Sequence, residues 1–149
     1  MCSGGVQSYQ CTPQAPSPEV CDGLDNDCNT LVDDGIAIPN GHPVLTLGKL
    51  ATPWNTQYSW SPIPGATAYD TVRGVLSTLR GTSGNYTQAV LDCGFNDLTD
   101  TTFQDFLLPA SGDAYWYLVR PVNACSGNGT YDDNVSRDAG INASPAACP

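Results

Sequence analysis

Between Glu19 and Gly35 the chain carries six carboxylates and no Lys or Arg, and Cys21 and Cys28 bracket the densest part of the run. Like charges this crowded repel one another unless something positive sits among them. A hard cation answers that need. The rest of the fold has to accommodate a short, irregular, acidic loop held by sulfur or metal.

The spacing narrows the choice. Asp25, Asp27, Asn29 and Asp33 stand at offsets one, three, five and nine of a segment that resembles the start of an EF-hand calcium loop, with the Leu31 carbonyl at offset seven. Thr30 stands where the EF-hand has Gly, and Ile36 where it has a bidentate Glu, so the missing ligand would come from Asp34 or Asp22. A disulfide between Cys21 and Cys28 would close a loop of eight residues. On chain entropy it would contribute about 2.5 kcal/mol and fold Asp22 back towards Asp27.

The run from Glu19 through Cys21-Asp22-Gly23, Asp25-Asn26-Asp27-Cys28 and Asp33-Asp34-Gly35 also resembles a short metal-binding repeat of bacterial surface and secreted proteins. That repeat is named after a copper-binding surface protein of methane oxidisers. Copper nevertheless prefers imidazole or sulfur, and the one histidine, His42, lies outside the run. The ion expected here is calcium, with copper the weaker choice; the alternative is a solvated acidic loop without an ion. Two Cys and one His at these spacings do not make a zinc finger.

Seven cysteines among 149 residues argue for an oxidising, extracellular or cell-surface setting. Met1-Cys2-Ser3-Gly4 has neither the basic nor the apolar run of an export signal, so such a signal is expected outside this sequence. A net charge of −10 argues against nucleic acid as a partner, and no apolar run is long enough to span a membrane.

Residues 1–18 read as an irregular Cys-containing arm, 19–35 as the acidic loop, 36–43 as a linker and 44–149 as a β domain. In the arm, Cys2 and Cys11 are candidates to pair, and prolines 13, 16 and 18 stiffen the entry to the loop. After Pro43, short alternating stretches separated by turn residues predict strands at 44–51, 57–61, 69–76, 86–91, 102–107 and 115–123. A last strand is expected between Val135 and Ala143. Seven short strands with no helix predict an all-β sandwich.

Trp60 followed by Pro62, then Gly65-Ala66-Thr67-Ala68-Tyr69-Asp70 with Arg73-Gly74, then Tyr115, Tyr117, Val119, Pro121 and Asn123, resemble a fibronectin type III domain of bacterial extracellular proteins. The resemblance implies an immunoglobulin-like sandwich with Trp60, Tyr69, Tyr115 and Tyr117 in its core, and a scaffold or interaction role. Pro121 lacks a ladder donor and predicts a bulge or an edge. In that topology Cys93 and Cys125 share a pole and pair, leaving Cys148 for a bond to another chain.

If Tyr115, Tyr117 and Val119 face inward, Trp116, Leu118 and Val122 form an apolar outer face that something must cover. The N-terminal segment and a second copy of the chain are the two candidates. Asn85, Asn128, Asn134 and Asn142 lie in glycosylation sequons. No hydrolytic triad, phosphate loop or zinc-protease helix is present, and the chain reads as a non-enzyme. The expectation is an extracellular calcium-binding structural protein that self-assembles into a surface fibre through its arm and apolar sheet face. The alternative is a non-catalytic module of a larger secreted protein that binds carbohydrate or protein.

Overall fold

The computed structural model describes residues 2–3, 6–7, 16–49 and 56–149. Strands β1 (Cys2–Ser3) and β2 (Val6–Gln7) pair as a small antiparallel ladder. The body is two antiparallel sheets. One has the order β3-β4-β7, from Thr46–Lys49, Thr56–Ser59 and Thr102–Asp105. The other has the order β6-β5-β8-β9, from Val90–Leu98, Ala68–Val75, Tyr115–Asn123 and Gly127–Asn128.

Period two sorts the side chains. Tyr58 on β4 stands opposite Phe103 on β7, so the two share one face; their rings stack at 4.5 Å. They meet Tyr69 of β5 and Val119 of β8 from the other sheet, with Trp60 edge-on to Tyr69 at 5.3 Å. These five buried residues fill the space between the sheets, and Tyr117 packs against them. Tyr115 is only half-buried, its ring lying under the Arg73 guanidinium at 4.9 Å.

Pro121 sits in unbroken register with Tyr69, so there is no bulge between β8 and β5 at this point. Its carbonyl accepts from Gly129 N at 2.8 Å on the side away from β5. In an antiparallel strand the nitrogen of the same residue faces that side too, and the β5 ladder loses no donor.

Two expected strands are helical. Tyr86–Ala89 is a short helix, α2, whose N-cap Asn85 accepts from Gln88 N, and the strand begins only at Val90. Val135–Asn142 is helix α3, where Asn134 accepts from Ser136 N and Arg137 N. Asn is among the best N-cap residues, and it caps both segments. A further helix, α1 (Leu76–Gly81), follows β5 directly. The four-stranded sheet is completed by the two-residue β9 instead of the expected C-terminal strand.

Among the described residues, the outer face around Trp116 is covered by the C-terminal segment. Val72, Val90, Trp116 and Leu118 pack against Tyr131, Ile141, Ala146, Ala147 and Cys148, together with Tyr86. The C-terminal segment therefore forms a third layer. Its anchor is Arg120, 4% exposed, on the same outer face. The guanidinium meets Asp70 through Nη2 at 2.7 Å and Nε at 2.8 Å, Asn142 Oδ1 at 2.9 Å and the Pro149 carbonyl at 2.7 Å.

Candidate metal centre

Glu19 organises the acidic loop. One of its oxygens accepts from Asn26 N at 2.6 Å and Asp27 N at 2.8 Å, and the other accepts from Asp33 N at 2.9 Å. One carboxylate thereby fixes three backbone positions across fourteen residues of chain. Asn26 adds a second clasp, its Oδ1 accepting from Val20 N at 3.0 Å.

Within that frame the side-chain oxygens of alternate residues accept from the loop's own backbone. Asp25 accepts from Asn29 N at 3.1 Å and Thr30 N at 2.9 Å, Asp27 from Asn29 N at 3.0 Å, and Asn29 Oδ1 from Leu31 N at 2.8 Å. Carboxylate oxygens of Glu19, Asp25 and Asp27 lie within 4.8 Å of one another. An all-oxygen, anionic donor set suits a hard cation. Glu19 Oε1 accepts two bonds while Oε2 accepts one, so Glu19 both positions the loop and keeps a free lone pair beside Asp25 and Asp27.

The other expected ligands are placed differently. Asp33 accepts from Asp22 N at 3.0 Å and Gly23 N at 3.1 Å, and Asp22 Oδ1 accepts from Leu24 N at 2.9 Å, so both brace the turn at Gly23. Asp34 takes the Asn29 amide at 3.1 Å. Thr30, at the offset where the EF-hand has glycine, has φ 80°. It adopts the left-handed turn that glycine would take without strain. Glu19 was missed as a site residue, although the repeat quoted from the sequence begins on it.

The disulfides correct the expected pairing. Cys21 bonds Cys125, with Cα atoms 5.8 Å apart and 104 residues between them in sequence, not Cys28. Cys93 bonds Cys148 at a Cα separation of 4.8 Å, so Cys148 is engaged within the chain. Cys28 is disulfide-bonded as well. The expected pairing of Cys2 with Cys11 falls outside the described side chains.

The Cys21 bond fastens the loop to the turn after β8, and the linker continues the attachment. Ser126 Oγ donates to the Ala37 carbonyl at 3.0 Å, Pro39 is buried, and His42 Nε2 meets Asp133 at 2.6 Å.

Between the sheets, beyond the aromatic cluster, Arg73 bridges Asp92 and Asp105, the latter at 2.8 Å, while Tyr117 donates to Asp105 at 2.6 Å. Burial opposes the Arg73 charge, but the hydrogen bonds it donates to the two aspartates, with their negative charge, outweigh burial and raise its pKa. Burial also pushes Asp105 upwards, yet the bonds from Tyr117, Leu107 N and Arg73 win and hold its carboxyl below the usual value. Burial and the Asp105 contact push the Tyr117 hydroxyl up.

Among the sequons, Asn85 and Asn134 cap helices. The amide of Asn128 donates to the Pro149 carbonyl at 3.2 Å, and that of Asn142 to Asp138 at 3.0 Å. No helix among the described residues is long and apolar enough to cross a membrane.

Fold and site together define a mostly-β protein of two facing antiparallel sheets, sealed by its own C-terminal layer and carrying a disulfide-tethered acidic loop. Among solved structures, a Fn3-like protein from Clostridium thermocellum is similar, with 21% identity and a TM-score of 0.41 over 62% of this chain and 86% of that one. No protein-family description matches the chain, and no curated protein does.

Proposed function

We propose that the protein is a secreted, non-catalytic bacterial surface module in which calcium binding to the acidic loop stiffens the N-terminal arm against a fibronectin type III-like body. The observation that carries this reading is the convergence of Glu19, Asp25 and Asp27 oxygens within 4.8 Å. Like charges so placed gain from a divalent ion between them, and oxygen-only donors favour calcium over copper. The Cys21–Cys125 bond then passes the stiffened loop's order directly to the sheets. The oxidised cysteines support an extracellular setting.

The titratable groups of the body support a structural role. Arg73 is held by Asp92 and Asp105, Arg120 by Asp70, and His42 by Asp133. Two features that favoured a fibre are used within the chain, since Cys148 bonds Cys93 and the Trp116 face lies under the C-terminal layer. This favours an adhesion or scaffold module that meets carbohydrate or protein through its loops. Assembly with further copies would use surfaces other than the Trp116 face.

Thermal melts with calcium and with chelator test the ion. Calcium at a hundredfold excess over its Kd adds about 2.7 kcal/mol, which raises Tm by roughly 5–10 °C in a chain of this size. The double substitution Asp25→Asn, Asp27→Asn should abolish the shift. Equal melts with and without chelator would overturn the calcium reading, and light scattering in calcium that shows long polymers would restore the fibre.

A further inference from the structure

We propose that Asn40–Gly41 is a spontaneous deamidation site built into the segment that joins the acidic loop to the sheets. The chain contains two Asn-Gly pairs, Asn40–Gly41 and Asn128–Gly129. In such a pair the deprotonated glycine nitrogen attacks the asparagine side-chain carbonyl carbon. A C–N bond forms, the side-chain amide leaves as ammonia, and water opens the resulting cyclic imide to aspartate or to its β-linked isomer. Glycine is the fastest successor because no Cβ obstructs the approach.

The fold treats the two pairs oppositely. Gly129 N donates to the Pro121 carbonyl at 2.8 Å, and the Asn128 amide donates to the Pro149 carbonyl at 3.2 Å. Nucleophile and leaving group are both occupied there, and the pair lies at the end of β9 against β8. Asn40 is exposed, and among the described residues neither its side chain nor Gly41 N has a hydrogen-bond partner. A Cβ at position 41 would stand 3.0 Å from Ile63 Cγ2, so the position is tight for any residue other than glycine.

The product alters a joint. Position 40 lies between Pro39, buried beside Gly129, and His42, paired with Asp133 at 2.6 Å. Deamidation places a new negative charge between these two attachment points, and the β-linked isomer adds a backbone carbon there. The change falls after the attachments made by Cys21, Ala37 and Pro39, so it separates these from the His42 contact with Asp133.

Peptide mapping by mass spectrometry, after incubating the full oxidised chain at physiological temperature and mildly alkaline pH, tests this. The peptide carrying Asn40 should gain the amide-to-acid mass and split into two isomeric peaks, at a rate that rises with pH. Asn128 should convert at least about tenfold more slowly, because its two hydrogen bonds must break first. In reduced, urea-unfolded chain the two rates should converge. No conversion at Asn40 in the folded chain, comparable rates at both sites, or a rate ratio that survives unfolding would each overturn the proposal. The variant Asn40→Gln, which leaves Gly41 against Ile63, should lose the product peaks.

Discussion

Replacing Arg120 by Ala should unfasten the C-terminal layer. Arg120 is 4% exposed and Asp70 1% exposed, and the guanidinium holds the carboxylate through Nε and Nη2 at 2.8 and 2.7 Å. Truncation leaves the Asp70 charge buried, with the Asp97 N–H at 2.9 Å its one remaining hydrogen bond among the described residues. Removing one partner of a buried pair costs about 3–5 kcal/mol. Lost contacts to Asn142 and Pro149, and the stacking of the guanidinium over Tyr131 at 5.0 Å, place the effect towards the upper end of that range. With stabilities of about 5–15 kcal/mol and roughly 2–4 °C per kcal/mol at this size, Tm should fall by about 10 °C or more. Urea unfolding followed by circular dichroism measures the loss, and dye binding reports the uncovered Trp116 face. The double variant Asp70→Leu, Arg120→Met should recover most of the stability, because an apolar pair of similar volume is often neutral there. Arg137→Ala, which breaks an ion pair of a 46% exposed side chain with Asp132, should cost less than about 1 kcal/mol. A loss at Arg120 no larger than that at Arg137 would refute the reasoning.

Gly74→Ala should be among the worst single changes, since its Cβ would fall 2.0 Å from Trp116 Cζ2 and 2.4 Å from the Ala89 carbonyl; a cost under about 1 kcal/mol in urea would contradict the packing. Thr30→Gly should stabilise the acidic loop by about 1 kcal/mol, because Thr30 has φ 80°, and calorimetric calcium titration should show tighter binding. Asp105 is held below the usual carboxylate value in the fold. Its stabilisation is therefore complete above the unfolded pKa of about 4 and is lost as pH falls through the lower folded value. Asp105→Asn should flatten the acid limb of a pH–stability curve, and an unchanged limb would exclude Asp105 as its source.

What the sequence determined by itself were the features that depend on local pattern. Alternation placed Tyr58 and Trp60 among the buried aromatics, and Tyr117 with Val119 facing opposite to Trp116 with Leu118. The run of carboxylates marked the acidic loop, because charge density is legible without coordinates. Asn85 and Asn134 were equally visible, but a sequon and an N-cap are spelled with the same letters, and only the backbone around them distinguishes the two.

Tertiary structure alone decided the rest. Cysteine pairing depends on distance in space, and the two described bonds join residues 104 and 55 apart in sequence, so no spacing rule could select them. Helix α3 buries one residue, Ile141, and has no apolar stripe to announce it. The closure of the Trp116 face, and with it the loss of the obvious surface for self-assembly, follows from Arg120 reaching the end of its own chain. An outer apolar face shows that a cover is needed, and the identity of the cover is set by which segment the topology brings within reach.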